Sequence, residues 1–286
     1  WMVLQAQGGF HLPAEAPRPH GASIQVRVYA EDPGLDFAPS SGKVTDARFS
    51  SRARVDGWIT PGVEVTPFYD PLLAKIIVRA EDRAHAVRKL AEVLAESRID
   101  GLETNLRYLQ QVVSSDGFHS GGITTSYLRG FPYQRNGFSV VEAGTQTTVQ
   151  DWPGRIGYWD VGVPPSGPMD ALSFRLANRI VGNSANAPAL ECTFTGPALR
   201  FHNDSIVALT GADMQATLDG AAVVRFVPLA VRAGQTLQLN TVEGPGSRAY
   251  IAVRGGLDVP EYLGSRATFI LGKFGGHGGR VLRPGD

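Results

Sequence analysis

The sequence predicts an α+β chain with two unlike halves: a small antiparallel sheet with helices, followed by a mostly-β, barrel-like domain. Alternating apolar residues in "SIQVRVYA", from Ser23 to Ala30, indicate a half-buried strand. Between Asp82 and Gly101, apolar residues recur every three or four positions, as in an amphipathic helix. After Gly137, short apolar runs alternate with turn residues, which favours a barrel or a sandwich.

The composition is that of a globular chain with no charge preference. Its 286 residues are 43% hydrophobic, and 27 Lys and Arg balance 27 Asp and Glu. Such a balance gives no field that attracts nucleic acid or an anionic membrane, so neither is expected as a partner. The single Cys192 cannot form an internal disulfide, and no segment predicts a signal peptide or a membrane span. We therefore expect a cytoplasmic protein.

The first half begins with "WMVLQAQGG", which has the pattern of a helix end with its stop glycines. Because such a start is not typical of a chain terminus, we expect an internal piece of a longer protein. Further strands are predicted at Lys43–Arg48, Arg52–Val55 and Leu73–Val78. One helix follows with Asp82 as its cap and Gly101 after its end, and a second helix is predicted to start from an N-cap at Thr104.

A segment without periodicity separates the halves. "RGFPYQRNG", Arg129 to Gly137, is rich in turn residues, and we place a linker at 132–137 between domains 1–131 and 138–286. Only "PMDALSFRLANRIVGN" predicts a helix in the second half. Its expected apolar stripe is Leu172, Leu176 and Ile180.

Tight turns mark the remaining strands of the second half. Asp219-Gly220 predicts a hairpin turn, and Ala233-Gly234 predicts a second turn. Ala249, Ile251 and Val253 alternate along a later strand and are expected to face one way.

The stretch "SRATFILGKFGGHGGR", Ser265 to Arg280, contains five glycines and is here named the glycine loop. A phosphate loop needs Ser or Thr after its Lys, whereas Phe274 follows Lys273, and no helix start after the glycines fits a dinucleotide site. Its backbone N–H groups, with Lys273 and His277 nearby, can instead meet a carboxylate. A flexible hairpin end is the alternative, and the sequence leaves both open.

Other polar residues are weaker signals. Asp151 and Arg155 lie four residues apart and predict an ion pair, either structural or substrate-binding. Asp170 either starts a helix or contacts a substrate. Glu191 lies in an apolar strand run, where a buried carboxylate needs a partner. Arg54 lies on a strand, where a solvent-facing arginine is the simplest interpretation. The six histidines show no metal-ligand spacing, so no metal site is predicted.

Long motifs nevertheless resemble known families. Residues 21–131, through "GASIQVRVYAEDP", "RVDGWITPGVEVTPFYDPLLAKIIVRAEDRAHAVRKL" and "RIDGLETNLRYLQ", resemble the C-terminal domain of biotin carboxylases. Residues 138–286 resemble the first part of the carboxyltransferase domain of urea carboxylase, which is related to one of the subunits of bacterial 5-oxoprolinase. That resemblance rests on "TTVQDWPGRIGYWDVGVPPSGPMDALSFRLANRIVGN", "LTGAD", "AVRGGLDVPEYLGSRATF" and "FGGHGGR". This order of the two is the arrangement of urea carboxylase.

The resemblance implies a two-stage reaction. ATP and bicarbonate carboxylate a protein-linked biotin, and the carboxyl group then passes to urea to give allophanate. Arg54 matches the family's arginine at the biotin and bicarbonate end of the first site, where it would stabilise charge on the ureido oxygen of biotin. Gly275 and Gly276 are expected to offer backbone donors to the carboxyl group. The polar candidates for carboxyl transfer are Asp151, Arg155, Asp170, Lys273 and His277.

The resemblance also implies partners outside this sequence. These are the ATP-grasp part that binds ATP and Mg²⁺, the biotinyl carrier domain, and the remaining halves of the biotin carboxylase and the carboxyltransferase. None of the three methionines precedes a lysine, so the sequence lacks the Met-Lys motif that carries biotin. We expect the 286-residue chain alone to be inactive.

Two alternatives stay open. A guanidine carboxylase, or another amide or amidine carboxylase on the same scaffold, would differ in whether the pocket meets a carbonyl or a cation. A non-catalytic binding module, of the kind related to 5-oxoprolinase, would have no use for the biotin carboxylase half.

Overall fold

The computed structural model describes residues 2–9, 15 and 18–286, so Trp1 of the predicted helix end lies outside the described residues. The helices are α1 (Met2–Ala6), α2 (Arg83–Glu96), α3 (Leu106–Ser114), α4 (Asp116–Ser120) and α5 (Ala171–Ile180), with 3-10 turns at Pro33–Leu35 and Trp159–Val161. The strands of the first half are β1 (Ala22–Tyr29), β2 (Glu31–Asp32), β3 (Ala38–Pro39), β4 (Gly42–Lys43), β5 (Asp46–Arg48), β6 (Arg54–Gly57), β7 (Glu64–Val65), β8 (Leu72–Ala80) and β9 (Arg98–Asp100). The strands of the second half are β10 (Phe138–Glu142), β11 (Gln146–Gln150), β12 (Ala189–Thr193), β13 (Ala198–Phe201), β14 (Ser205–Gly211), β15 (Thr217–Leu218), β16 (Ala221–Ala222), β17 (Leu229–Val231), β18 (Thr236–Gln238) and β19 (Arg248–Val253).

The first half is a three-stranded antiparallel sheet of order β1-β8-β6, with helices packed on it. Its register places Val26 opposite Ile76, and alternate residues of β8 enter the core. Helix α2 contributes Val87 and Leu90 to the same core, and Asp82 caps it by accepting a hydrogen bond from the His85 amide. The predicted strand, helix and cap are confirmed, because burial of one face fixes the register.

Three local predictions in the first half are wrong. The predicted strand Lys43–Arg48 is split, because β4 pairs with β7 whereas β5 pairs with β9. Gly101 follows β9 instead of ending α2, and a Cβ there would lie 2.0 Å from the Lys43 carbonyl oxygen, so the glycine permits this crossing. Asn105 rather than Thr104 is the N-cap residue of α3, and its amide side chain bonds the backbone of Tyr29.

The segment between the halves is bound to the first half. Residues 131–136 form no regular element, as predicted for a linker. Arg135 pairs with Asp32 at 2.8 Å, and the backbone of Gln134 exchanges two hydrogen bonds with the Gln111 side chain. The segment is therefore attached to the first half, and the proposed domain limits stay a prediction.

The second half is an open two-sheet arrangement, and the barrel-like prediction is corrected accordingly. One five-stranded sheet has the order β10-β13-β18-β15-β16 and the other has the order β11-β12-β19-β14-β17. Side chains of both sheets, such as Leu199 and Leu237 from one and Leu190 and Ile251 from the other, share a single core. The predicted turn at Asp219-Gly220 joins β15 to β16.

Helix α5 turns a different face to the core from the one predicted. Leu172 and Leu176 are exposed, whereas Phe174, Ala177 and Val181 are buried against the second five-stranded sheet. Both stripes have helical spacing, so the pattern alone could not choose between them. The sheet decides, because the Phe174 ring packs edge-on against the Tyr250 ring of β19.

Within the described part of the chain, every helix is too short or too polar to cross a lipid bilayer.

Candidate functional site

The glycine loop is folded back onto strand β11 by a buried carboxylate. Asp151, which follows β11 directly, accepts hydrogen bonds from the Ser265 hydroxyl at 2.6 Å and from the Arg266 amide at 2.7 Å. The Thr268 amide donates to the Val149 carbonyl at 2.9 Å, which continues the attachment. The loop is therefore anchored at its start.

Arg155 fixes the same loop from inside. It is 1% exposed and donates to the carbonyl oxygens of Tyr262, Ser265 and Ala267 at 3.0 to 3.2 Å. Its guanidinium also lies 4.9 Å from the centre of the Phe274 ring. Burial lowers the pKa of Arg155, although nearby Asp151 acts in the opposite direction.

The predicted ion pair between Asp151 and Arg155 is wrong, because both side chains bind the glycine loop instead of each other. Arg155 donates hydrogen bonds to the carbonyl groups and to the Ser166 hydroxyl, the latter at 3.0 Å. Both residues therefore hold the glycine loop in shape.

Two glycines allow the close packing of this loop. A Cβ on Gly275 would lie 2.1 Å from the Ala267 carbonyl oxygen, and one on Gly276 would lie 1.9 Å from the Thr268 hydroxyl. Both have positive φ, at 73° and 54°. The Gly276 amide already donates to the Arg266 carbonyl at 2.9 Å, so it is not a free donor in this conformation.

Lys273 lies at the exposed tip of the loop. Phe269 and Phe274 pair across it, and Lys273 takes a φ of 57° in the turn. Exposed Leu271 lies beside it. This part of the stretch is thus a hairpin end, and its binding of a carboxylate stays a prediction.

His277 and Gly276 line a cleft between the two halves, here named the inter-half cleft, with a volume of about 880 Å³. His277 lies 3.2 Å from the Asp286 carboxylate. Arg280 donates two hydrogen bonds to the same carboxylate, at 2.6 and 2.7 Å. Burial alone would raise the pKa of Asp286, but the bonds from Arg280 and His277 outweigh it and lower that pKa.

The same cleft is bridged by an ion-pair cluster. Asp258 of the second half accepts from Arg98 at 2.6 Å and from Arg107 at 2.8 Å, and both arginines belong to the first half. Arg98 also pairs with Asp100 on its own strand. This bridge sets the two halves against each other beside His277.

Asp170 lies in a different place from the glycine loop. It caps α5 by accepting from the amides of Leu172 and Ser173 at 3.0 Å, as predicted for a helix start. Burial alone would raise the pKa of Asp170, but these bonds and one from the Ser173 hydroxyl lower it.

Glu191 has the partners that its burial requires. It is 8% exposed, and one carboxylate oxygen accepts from the Met169 amide at 2.7 Å and from the Tyr250 hydroxyl at 2.9 Å. The Asp170 amide donates to the same hydroxyl at 2.7 Å. Burial, followed by the Glu191 charge, raises the pKa of Tyr250, so this phenol stays protonated.

Arg54 is far from these groups in the fold, at the edge strand β6 of the first sheet. Its side chain is 73% exposed and forms a forked pair with Asp56 through Nε at 2.9 Å and Nη2 at 3.0 Å. Among the described residues, one group has the make-up of metal ligands, namely exposed Glu81, Asp82 and His85 beside the start of α2.

Two family descriptions match the chain. Residues 25–130 match the biotin carboxylase C-terminal domain, and residues 161–286 match the carboxyltransferase domain, subdomain A and B. Urea amidolyase of Saccharomyces cerevisiae is 47% identical over the whole chain, which spans 16% of that protein. The crystal structure of Kluyveromyces lactis urea carboxylase matches the whole chain with a TM-score of 0.94 and 46% identity, and the chain spans 25% of it. A 5-oxoprolinase subunit of Escherichia coli is 44% identical over 51% of the chain and 47% of that protein.

The chain thus combines a biotin carboxylase C-terminal domain with carboxyltransferase subdomains A and B, which are parts of biotin-dependent carboxylases. Among such enzymes, urea amidolyase and urea carboxylase are similar to the chain over its whole length. Biotin, ATP and Mg²⁺ are the cofactors of this class of enzyme.

These residues differ in how well the sequence alone predicts them. Arg54 lies exposed on a strand and Asp170 caps a helix, as their local patterns predict. The inter-half bridge of Arg98, Arg107 and Asp258 was missed, because its members are more than 150 residues apart and none has a distinctive neighbourhood. Arg248, which lies 3.7 Å from Glu191, was also missed, and the only available signal was the buried carboxylate that needs a partner.

Proposed function

We propose that this chain is part of a urea carboxylase, which uses ATP and bicarbonate to convert urea to allophanate. One observation carries this proposal: a biotin carboxylase domain and carboxyltransferase subdomains occur together, in the order of the K. lactis enzyme, along the entire chain. Carboxylation of biotin and transfer to a nitrogen substrate need both. We also place the protein in the cytoplasm, a reducing compartment in which an unpaired cysteine such as Cys192 is usual.

Arg54 is proposed to act in the first stage. Its fork holds Asp56 through Nε and Nη2, which leaves Nη1 and an exposed guanidinium face toward solvent. That arrangement fits an incoming oxygen of biotin or bicarbonate, because Asp56 holds the planar group in a fixed orientation. Biotin, when bound, supplies the nitrogen that carries the carboxyl group. Arg54 stabilises negative charge on the neighbouring oxygen.

The second half is proposed to receive the carboxyl group. The glycine loop brings Lys273 and His277 to two sides of a base that Asp151 and Arg155 hold rigid. His277 faces the inter-half cleft and is the remaining candidate for moving a proton. The roles of Gly275 and Gly276 are conformational, with Gly276 bonded to Arg266.

The proposed partners complete the reaction. An ATP-grasp part would bind ATP and Mg²⁺, a biotinyl carrier domain would move between the two stages, and the rest of the carboxyltransferase would close the second site. The relatives' larger size supports this, since the chain spans 16% of the yeast urea amidolyase.

A guanidine carboxylase is the nearest rival. Asp170 and Glu191 are carboxylates that would suit a cation, but Arg248 beside Glu191 has an N–H group without a partner and needs an acceptor, which guanidinium lacks. The arrangement therefore favours a neutral substrate. A non-catalytic module, as the similarity to a 5-oxoprolinase subunit permits, leaves the biotin carboxylase half without a role.

The test uses the full-length protein that contains this chain. ADP release with bicarbonate is measured with urea, guanidinium and no substrate, for the parent, Arg54→Ala and the control Arg52→Ala. Arg52 is a suitable control because it lies beside Arg54 and pairs with Glu92 and Glu96 of α2. We expect urea-stimulated ADP release that falls at least about a hundredfold in Arg54→Ala only. Stimulation by guanidinium alone, or by neither compound, would refute the proposal.

A further inference from the structure

A small polar pocket in the second half is lined by an arginine, Arg248, whose N–H groups are not all hydrogen-bonded. It has a volume of about 450 Å³ and is here named the Arg248 pocket. Its lining residues are Met169, Asp170, Ser173, Gly211, Ala212 and Pro245–Arg248. Behind it lies Glu191, and the glycine loop contributes no residue to it.

Arg248 is short of partners within the described part of the chain. Its Nη1 makes two long bonds, at 3.3 and 3.2 Å, to the neighbouring Ser247. Its Nε is buried without a hydrogen-bond partner, because the nearest Glu191 oxygen is 3.7 Å away. A guanidinium that is 23% exposed and holds spare N–H groups is prepared to donate to an oxygen.

The same pocket also contains acceptors. The Asp170 carboxylate takes two amides on one oxygen but only the Ser173 hydroxyl on the other, so lone pairs remain. The Met169–Asp170 backbone cannot drift, because its two amides are bonded to the Glu191 carboxylate and the Tyr250 hydroxyl. The pocket thus combines fixed donors with fixed acceptors.

The charge balance selects the kind of ligand. Asp170 and Glu191 carry two negative charges near the single positive charge of Arg248, so a carboxylate ligand meets net repulsion. A cation such as guanidinium has no acceptor for the spare N–H groups of Arg248. A neutral planar group with one carbonyl oxygen and flanking N–H donors satisfies both sides, which is the pattern of a ureido group.

We propose that the Arg248 pocket binds a ureido group, with the carbonyl oxygen on Arg248 and the N–H groups toward Asp170. This inference rests on the proposed function, in which two molecules have that group: urea itself and the bicyclic ring of biotin. The shared chemistry defines the pocket, and the experiment separates the two sources.

The experiment measures binding without turnover. Equilibrium dialysis of the full-length protein uses radiolabelled urea in one arm and free biotin in the other, without ATP or bicarbonate. The variants are Arg248→Met, Arg248→Lys and the control Arg200→Met, which changes an exposed arginine of β13 in the other sheet. We expect Arg248→Met to weaken the binding of one probe at least about tenfold. Arg248→Lys should weaken the same binding less, because it keeps a cation, and Arg200→Met should leave the binding of both probes unchanged.

Each outcome decides the matter. Loss of urea binding identifies the pocket with the substrate, and loss of biotin binding identifies it with the carrier's ring. Unchanged binding of both probes by a folded Arg248→Met overturns the proposal. If that variant unfolds because Glu191 loses its neighbour, Ser173→Leu fills the pocket from α5 instead, and retained binding of both probes overturns it equally.

Failure of this inference differs from failure of the proposed function. A protein that releases ADP with urea while Arg248→Met binds both probes normally has the activity but a different pocket. A protein whose urea binding depends on Arg248, without urea-stimulated ADP release, has the pocket but another activity.

Discussion

At the scale of single residues, Arg155 is a buried cation that is satisfied by backbone oxygens. Its hydrogen bonds within the described residues go to the carbonyl oxygens of residues 262, 265 and 267 and to the Ser166 hydroxyl. The guanidinium therefore joins three points of one loop, and its five donors suit that task. Its removal would leave the Ala267 carbonyl without a donor among the described residues, whereas the Tyr262 and Ser265 carbonyls keep backbone donors.

Arg155→Met is expected to lower the free energy of unfolding by about 2 kcal/mol or more, since the unpaired buried Ala267 carbonyl costs about 1 to 3 kcal/mol and each other lost hydrogen bond about 1 kcal/mol. Thermal unfolding followed by circular dichroism measures this. Arg200→Met, at an exposed site, should change the value by less than about 0.5 kcal/mol. Equal stability of the two variants would mean that Arg155 does not hold the loop.

Gly276→Ala and Gly278→Ala form a matched pair in the glycine loop. Both have positive φ, but a Cβ meets Thr268 at 1.9 Å in the first and nothing nearer than 3.9 Å in the second. We expect about 1 kcal/mol of destabilisation for Gly278→Ala from backbone strain. Gly276→Ala should cost about 3 kcal/mol or more, because overpacking is added. Similar unfolding temperatures for the two variants would contradict the observed packing of Gly276 on Thr268.

Sequence predicts such residues only in part. The pattern around Asp170 predicts a helix cap, because an N-cap acts on its immediate neighbours. The sequence could not predict the carbonyl partners of Arg155, which lie 107 to 112 residues away. The short separation along the chain wrongly favoured Asp151 as its partner. Contacts between distant residues depend on the assembled sheets.

At the scale of elements, α5 and β19 meet through an aromatic contact that positions the Arg248 pocket. Phe174 packs on Tyr250, and the Tyr250 hydroxyl then reaches Glu191 and the Asp170 amide. The apolar contact and the polar chain are thus two parts of one interface. The existence and bounds of α5 were predictable, but its buried face was not, because two stripes have helical spacing.

Phe174→Ala should destabilise the protein by about 3 to 5 kcal/mol, the usual cost of deleting a buried aromatic ring. Leu172→Ala, which changes a side chain that is 75% exposed on the same helix, should cost less than about 1 kcal/mol. Thermal unfolding distinguishes the two. A larger loss of stability in Leu172→Ala than in Phe174→Ala would support the buried stripe predicted from the sequence.

At the scale of the whole molecule, the two halves are joined by Asp258 as well as by the chain. Burial alone would raise the pKa of Asp258, but Arg98 and Arg107 outweigh it and lower that pKa. The contribution of a carboxylate with a lowered pKa is complete above its unfolded pKa and is lost as the pH falls through the folded one. The bridge should therefore persist at neutral pH.

Asp258→Ala should lower stability by only about 1 kcal/mol, because the carboxylate is 65% exposed. Its main effect is expected on the relation of the halves, with faster proteolysis within residues 129–137. The control is Glu261→Ala, whose carboxylate pairs with Arg266 inside the second half. Equal cleavage rates for the two variants would show that Asp258 does not hold the halves together.

The two-part organisation was predictable, because long motifs cover each half. The open sandwich was not distinguished from a barrel, since short strands with tight turns suit both and only the pairing order separates them. The inter-half cleft could not be predicted from the sequence, because its residues are distant along the chain and meet only in the folded protein.

The most direct measurement follows the carboxyl group itself. The full-length protein is supplied with ATP, ¹³C-bicarbonate and ¹³C-urea, and the products are observed by ¹³C NMR. We predict allophanate with two labelled carbonyl carbons joined through one nitrogen in the parent protein and none in Arg54→Ala. ATP consumption without labelled allophanate, or an equal yield of labelled allophanate from Arg54→Ala, would contradict the account.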